Sequence, residues 1–260
     1  MPNQNPSQPD RYEAQPVPAG TPGQDAGPWT AGSGMNGTIS AAGQPVAVAR
    51  SGYLTMAFVW MFCALLVSAV VAGLTLASPG AMQFVTQWYF ALFIAELGLV
   101  IALSAAINRM SATVAVGMLF AYAALNGAVL SALALVYTTG SVTSAFVGAA
   151  AIFGAAAIYG AVTRRDLTSF GGILFAGLIG ILVMSLANIF VGGSTMSFVI
   201  GILGVLVFTG LTAWDVQMIR NGRWAWIASS ENASVLAALR LYLDFVNMFL
   251  MMLRITGSRG

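Results

Sequence analysis

The chain has no histidine and no lysine. Without histidine it cannot build His-ligated zinc sites, Ser-His hydrolases or histidine proton relays. Without lysine it cannot form the Schiff base of a retinal protein, although buried acids in an apolar helical chain invite that comparison. The single cysteine, Cys63, lies in an apolar run, has no internal disulfide partner and reads as packing. Charge is equally scarce: ten arginines and eight acids give a net charge of +2, and only 7% of residues are charged. A soluble domain carries about 25%. No basic cluster exceeds Arg164-Arg165, so nucleic acid is not an expected partner.

What is present is hydrophobic. Apolar residues make up 58% of the chain and the mean hydropathy is +0.85. Residues 1–49 differ from the rest, with eight of the nine prolines together with Gln, Asn, Gly and Ser. This stretch cannot bury enough surface to offset its ordering entropy and is expected to be a disordered cytoplasmic tail. It has neither the basic lead nor the apolar core of a signal peptide. From residue 50 onward the chain reads as one membrane domain. Stretches long enough to cross a ~30 Å hydrocarbon core recur seven times, at about 53–77, 86–107, 113–137, 142–163, 170–192, 195–218 and 233–255. The expected fold class is therefore all-α, a polytopic membrane protein of seven helices, with turn residues at 78–80, 139–141 and 192–194.

Arg50, Arg109, Arg164, Arg165, Arg220 and Arg223 all flank one end of the spans, and the loops after spans 1, 3 and 5 carry no charge. The positive-inside rule then puts the N-terminus in the cytoplasm. Seven spans put the C-terminus outside, against which Arg254 and Arg259 weigh, leaving a re-entrant seventh segment as an alternative. Trp224 and Trp226 fit an interfacial belt at the arginine end, and Trp88 with Tyr89 fits one at the other. Glycines in spans 4 to 6 (Gly148, Gly154, Gly160; Gly177, Gly180; Gly201, Gly204, Gly210) predict close helix packing.

Three acids lie within spans: Glu96, Asp215 and Asp244. A charge at membrane depth costs roughly 2.5–3.5 kcal/mol on insertion scales, so each is a candidate functional residue. In the seventh span, Arg240, Asp244, Asn247, Met251 and Arg254 fall on one helical stripe. Such a stripe should face protein or water, which makes this span the expected centre of the bundle. Arg240 and Asp244 could neutralise each other at i,i+4. Asp215 lies five residues before Arg220, hence about 7–8 Å from the surface at 1.5 Å per residue. Asp244 looks deeper, and the two acids meet only if the seventh helix starts outside the membrane or tilts. Glu96 is expected to bond Asn126, Ser104 or Asn188.

The segment Leu241-Tyr242-Leu243-Asp244-Phe245-Val246-Asn247-Met248-Phe249-Leu250, followed by Leu253-Arg254, resembles the C-terminal signature of the Bax inhibitor-1 family. Glu96-Leu97-Gly98, Tyr159-Gly160 leading into Thr163-Arg164-Arg165-Asp166-Leu167, and Gly210-Leu211-Thr212-Ala213-Trp214-Asp215 agree with it in order and spacing. The resemblance implies seven helices with the last at the centre and a pH-sensitive calcium leak. It also implies a hydrogen-bonded pair, Asp215 and Asp244, that senses protons and gates the path, and an arginine latch for which Arg109 is the candidate.

The residues are consistent with that expectation. Two close carboxylates share a proton and titrate as a pair. Hard Ca²⁺ favours oxygen ligands, and two carboxylates are too few for tight binding, which suits weak, transient contact with a permeant ion. Glu96, Arg240 and Asn247 are expected to line or support the path. No cofactor is expected, and the partners are the bilayer, Ca²⁺, protons and a candidate membrane-protein partner. An enzyme is not expected: intramembrane aspartyl proteases resemble one another in Gly-x-Gly-Asp and Pro-Ala-Leu segments, which are absent here. The alternative is a non-transporting regulator that binds a membrane protease or stress-response partner. The missing lysine and alanine-rich spans read as bacterial, hence a location in the inner (plasma) membrane.

Overall fold

The computed structural model describes residues 46–223 and 230–258, leaving the side chains of residues 46–51, 108, 189, 230 and 231 undescribed. The tail at 1–45, Trp224, Trp226 and Arg259 lie outside the described residues, as do the side chains of Arg50 and Glu231. Helix α1 runs Val46–Ala77.

The remaining helices are α2 (Pro79–Gln87), α3 (Tyr89–Ala106), α4 (Ala112–Ser131), α5 (Thr139–Val162), α6 (Gly171–Val191), α7 (Ser194–Arg220) and α8 (Ser230–Thr256). Seven segments are long and apolar enough to cross a membrane, and they match the seven expected spans within a few residues. The last runs Asn232–Thr256, so α8 is long enough to cross and need not be re-entrant.

Three boundaries differ from expectation. Pro79 lies in α2 rather than in a loop: Ser78 Oγ accepts Ala81 N–H at 3.4 Å, and Pro79 occupies the first helical position, where a missing N–H costs nothing. The chain bends at Trp88, so the second span starts at Tyr89. Trp88 and Tyr89 are exposed at that bend, as a belt requires. Thr139–Ser141 forms the first turn of α5 rather than a loop, because Thr138 Oγ1 caps it by accepting Ser141 N–H.

Most helices bury one face and turn an apolar face outward: Phe62, Val70, Ile158, Ile173 and Phe190 are all more than half exposed. Outward apolar surface of this kind suits lipid. Helix α8 is the exception. Its span is 72% buried, against 39% or less for every other. It packs against α1, α4, α5 and α7, and Tyr242, Leu239, Leu241, Met248 and Leu253 are fully enclosed. The helix is central, as the polar stripe predicted.

Glycine sets the closest approaches. A Cβ on Gly160 of α5 would stand 2.3 Å from the Ala213 carbonyl oxygen of α7, and one on Gly127 of α4 would stand 2.3 Å from that of Ser68 of α1. Both obstacles are backbone, which cannot swing aside. The expectation of close packing does not extend to Gly154 and Gly180, which face open space.

Candidate functional site

Helices α7 and α8 run antiparallel, with Gly201 and Gly204 of α7 against Met251 of α8. Carried up the pair, this register puts Asp215 beside Arg240 and Thr212 beside Asp244. The first turn of α8 therefore projects past the end of α7 at Arg220. This projection brings a shallow acid level with a deeper-looking one. Asn232 fixes the projecting turn, donating from Nδ2 to the carbonyls of Ile107 at 2.9 Å and Met110 at 2.8 Å.

Asp215 and Asp244 are 4% and 5% exposed. Their carboxyls lie within hydrogen-bonding reach of each other when one carries a proton. Asp215 Oδ1 and Asp244 Oδ2 are buried and accept no hydrogen bond from the protein. The nearest cation is Arg240, whose Nη1 lies 3.8 Å from Asp215 Oδ1. That is an ion-pair distance, too long for a hydrogen bond. Arg240 thus reaches across to α7 while its charge also acts on Asp244 along α8. The Arg240 side chain is 38% exposed, so the protein does not enclose that edge of the site. Thr212 is fully buried; its hydroxyl donates to Phe208 O at 2.8 Å and also lies within reach of Asp244.

Glu96 belongs to a second cluster. Asn126 Nδ2 donates to Glu96 Oε1, Tyr242 Oη donates to Asn126 Oδ1 at 2.9 Å, and Ser68 Oγ bonds Tyr242 Oη at 2.7 Å. Tyr122 also bonds Glu96. Of the expected Glu96 partners Asn126 is observed; Asn188 donates instead to Ser197. Glu96, Asn126 and Asn247 line one cavity of about 240 Å³ among α3, α4 and α8. Asn247 Nδ2 is tied to the Leu243 carbonyl at 2.8 Å, leaving its oxygen for the cavity. Tyr242 joins the two clusters through α8, since it stands two residues from Asp244 on the other face. Arg109, the candidate latch, lies exposed on a short 3-10 turn, and the guanidinium beside Asp215 belongs to Arg240.

At the α7 terminus, Gln217 was not singled out from sequence, and Arg220 was read only as a loop charge. Buried Gln217 donates from Nε2 to Arg165 O at 2.7 Å and accepts Leu167 N–H at 2.8 Å. Arg220 donates to the carbonyls of Ala161 and Thr163. Together, two and five residues beyond Asp215, they hold the α5–α6 loop on α7. Only the mixed polarity of Gln217 in an apolar run could have signalled this. In the loop, Asp166 accepts from the Thr168 hydroxyl and from its N–H at 2.9 Å, and these bonds hold the exposed carboxyl below its ordinary range. Among the described residues no three His, Cys, Asp or Glu side chains cluster as a metal site.

Residues 50–260 match the family described as Inhibitor of apoptosis-promoting Bax1. The chain belongs to the Bax inhibitor-1 family. Its similarity to the Inner membrane protein YbhL of Escherichia coli (strain K12) is 42% identity over 214 residues, spanning 80% of this chain and 92% of that protein. An uncharacterized protein of Deinococcus radiodurans is 39% identical over 209 residues, spanning 80% and 90%. One of Borreliella burgdorferi is 38% identical over 216 residues, spanning 81% and 93%. This Bax inhibitor-1 family chain is thus a multi-pass membrane protein.

Proposed function

We propose that this Bax inhibitor-1 family protein is a pH-sensitive calcium leak of the bacterial inner membrane, with its N-terminus cytoplasmic and Asp215 and Asp244 as its gate. The observation that carries the reading is the pair itself: two enclosed carboxylates on neighbouring helices, each with an oxygen that takes no hydrogen bond from the protein. Structural acids in a core are normally satisfied. Two carboxylates this close cannot both ionise cheaply and hold one proton between them. Loss of that proton sets two negative charges against one another across the α7–α8 contact. Repulsion loosens the contact, and a hard cation relieves it.

Beyond the pair, Asn247 and Glu96 face a common cavity and supply oxygen atoms for a cation leaving the gate. Two acids with one arginine at 3.8 Å give weak, transient Ca²⁺ contact rather than a resident metal. The test is calcium flux into liposomes carrying the purified full chain, scanned from pH 5 to 8. The expected result is flux that rises with pH, with the pH dependence flattened by Asp215→Asn or Asp244→Asn. An unchanged pH dependence in both variants would sink the gate. No flux at any pH, from folded protein, would favour the non-transporting regulator.

A further inference from the structure

At the end of the bundle away from Arg220, a second cavity of about 500 Å³ opens where α6 ends, α7 begins and α8 ends. It is lined by Tyr137, Ser185, Asn188, Ser194, Ser197, Arg254 and Gly257. The lining is chemically one-sided. Hydroxyls, an amide and a guanidinium line it, and none of the lining residues is acidic. Apolar space filled by lipid or packing would not need this lining.

The donors converge. Asn188 Nδ2 donates to Ser197 Oγ at 2.8 Å, which leaves Ser197 its own hydroxyl proton to give. Ser185 Oγ is buried without a partner in the protein. Helix α7 starts at Ser194 after Gly193, which has no side chain to cap it, so the first N–H groups of a 27-residue helix have no acceptor from the cap. The helix dipole adds partial positive charge at the same place. Arg254 supplies the full charge and a planar fork of donors. Asn188 Oδ1 is the unpartnered acceptor, suited to a ligand O–H.

A cation would meet repulsion from both Arg254 and the helix terminus, so the sign of the ligand is negative. The number of donors favours several oxygen atoms on one centre. We propose that this cavity binds an oxyanion of the phosphate class, held by Arg254, Ser185, Ser197 and the first turn of α7. That chemistry is shared by free phosphate in solution and by the phosphodiester of a lipid headgroup, since the cavity lies at the end of a membrane bundle. The site is separate from the aspartate pair and from the Glu96 cavity, and stands whether or not the protein conducts calcium.

The experiment titrates the purified full chain, in a neutral sugar detergent and phosphate-free buffer, by calorimetry. The probes are inorganic phosphate, dioctanoyl phosphatidylglycerol and, as the phosphate-free counterpart, dioctanoylglycerol. Wild type is expected to bind at least one phosphate-bearing probe and not dioctanoylglycerol. Arg254→Gln should weaken that binding by roughly tenfold or more, the size of a lost charged hydrogen bond, and Arg254→Lys should retain more of it. Binding of inorganic phosphate identifies a free anion; binding of the lipid alone identifies a headgroup. Should Arg254→Gln fail to yield monodisperse protein, the Ser185→Ala/Ser197→Ala double variant carries the test through a several-fold loss. The proposal is overturned if neither phosphate probe binds wild type, if dioctanoylglycerol binds equally well, or if the folded variants bind like wild type.

Discussion

The Asp215–Arg240 ion pair is the residue-scale feature through which the proposed gate can be tested. At 3.8 Å the guanidinium favours an ionised carboxylate without being locked to it. Removing it leaves two enclosed acids with less compensation, so ionisation becomes costlier. Arg240→Gln is expected to move the flux-versus-pH midpoint of the proposed leak upward by on the order of one pH unit. Liposome flux at closely spaced pH values checks the direction, and a midpoint unmoved or shifted downward would show that Arg240 does not act on the pair. The sequence placed Arg240 one turn from Asp244 and so suggested a pair along α8. Side-chain direction was not legible there: register with α7 gives the arginine a partner on a different helix.

At the scale of elements, α7 is held against α5 and against the loop that follows it. Gly160→Ala would drive a methyl into the Ala213 carbonyl and force the helices apart. Such overpacking costs about 1–3 kcal/mol. Thermal unfolding of the detergent-solubilised protein should show a lower Tm for Gly160→Ala, whereas Gly154→Ala, facing open space, should match wild type.

The loop carries its own pH dependence. The carboxyl of Asp166 is held below its ordinary value of 3.8 by the Thr168 hydroxyl and N–H. The folded loop therefore favours the ionised form. Its contribution is complete above that ordinary value and is lost as pH falls through the lower folded value. Hydrogen exchange at the Thr168 amide, corrected for the intrinsic rate, should lose protection only in that acid range. Asp166→Asn, which still offers an acceptor, should show protection independent of pH. Equal acid sensitivity in both proteins would exclude Asp166 as the cause. These helices were legible in sequence to within a few residues, because length and hydropathy alone define a span. The bend at Trp88 and the α2 helix were not, because a cap and a proline at N1 operate within a single turn.

For the whole molecule, the seven spans put the two ends of the membrane domain on opposite sides. In a Cys63→Ala background, Arg223→Cys reports the end carrying the arginine loops and Thr256→Cys the other; both native side chains are exposed. With the N-terminus cytoplasmic, a membrane-impermeant maleimide should label Thr256→Cys in intact spheroplasts and Arg223→Cys only in inverted vesicles. The reverse pattern would invert the orientation, and labelling of both from one side would mean that α8 does not cross. This arrangement also sets the proposed anion cavity on the side opposite the arginine-rich loops.

Composition and period alone determined that this chain spans a membrane seven times and that its last helix lies at the centre. Apolar length and scarce charge admit no other solvent for residues 50–260, and a helix with a polar stripe among apolar faces must be enclosed. They also isolated Glu96, Asp215 and Asp244 as the acids within the spans. Only the tertiary structure decided which of these meet. Depth counted from loop arginines sets Asp215 and Asp244 at different levels, and the projection of α8 beyond α7, fixed by Asn232 on the α3–α4 connection, brings them together. The same holds for Asn126 with Glu96, Gln217 with the α5–α6 loop, and the donors around Arg254. Each is a contact between residues on different elements. Such contacts follow from axial register and rotation, which hydropathy does not encode.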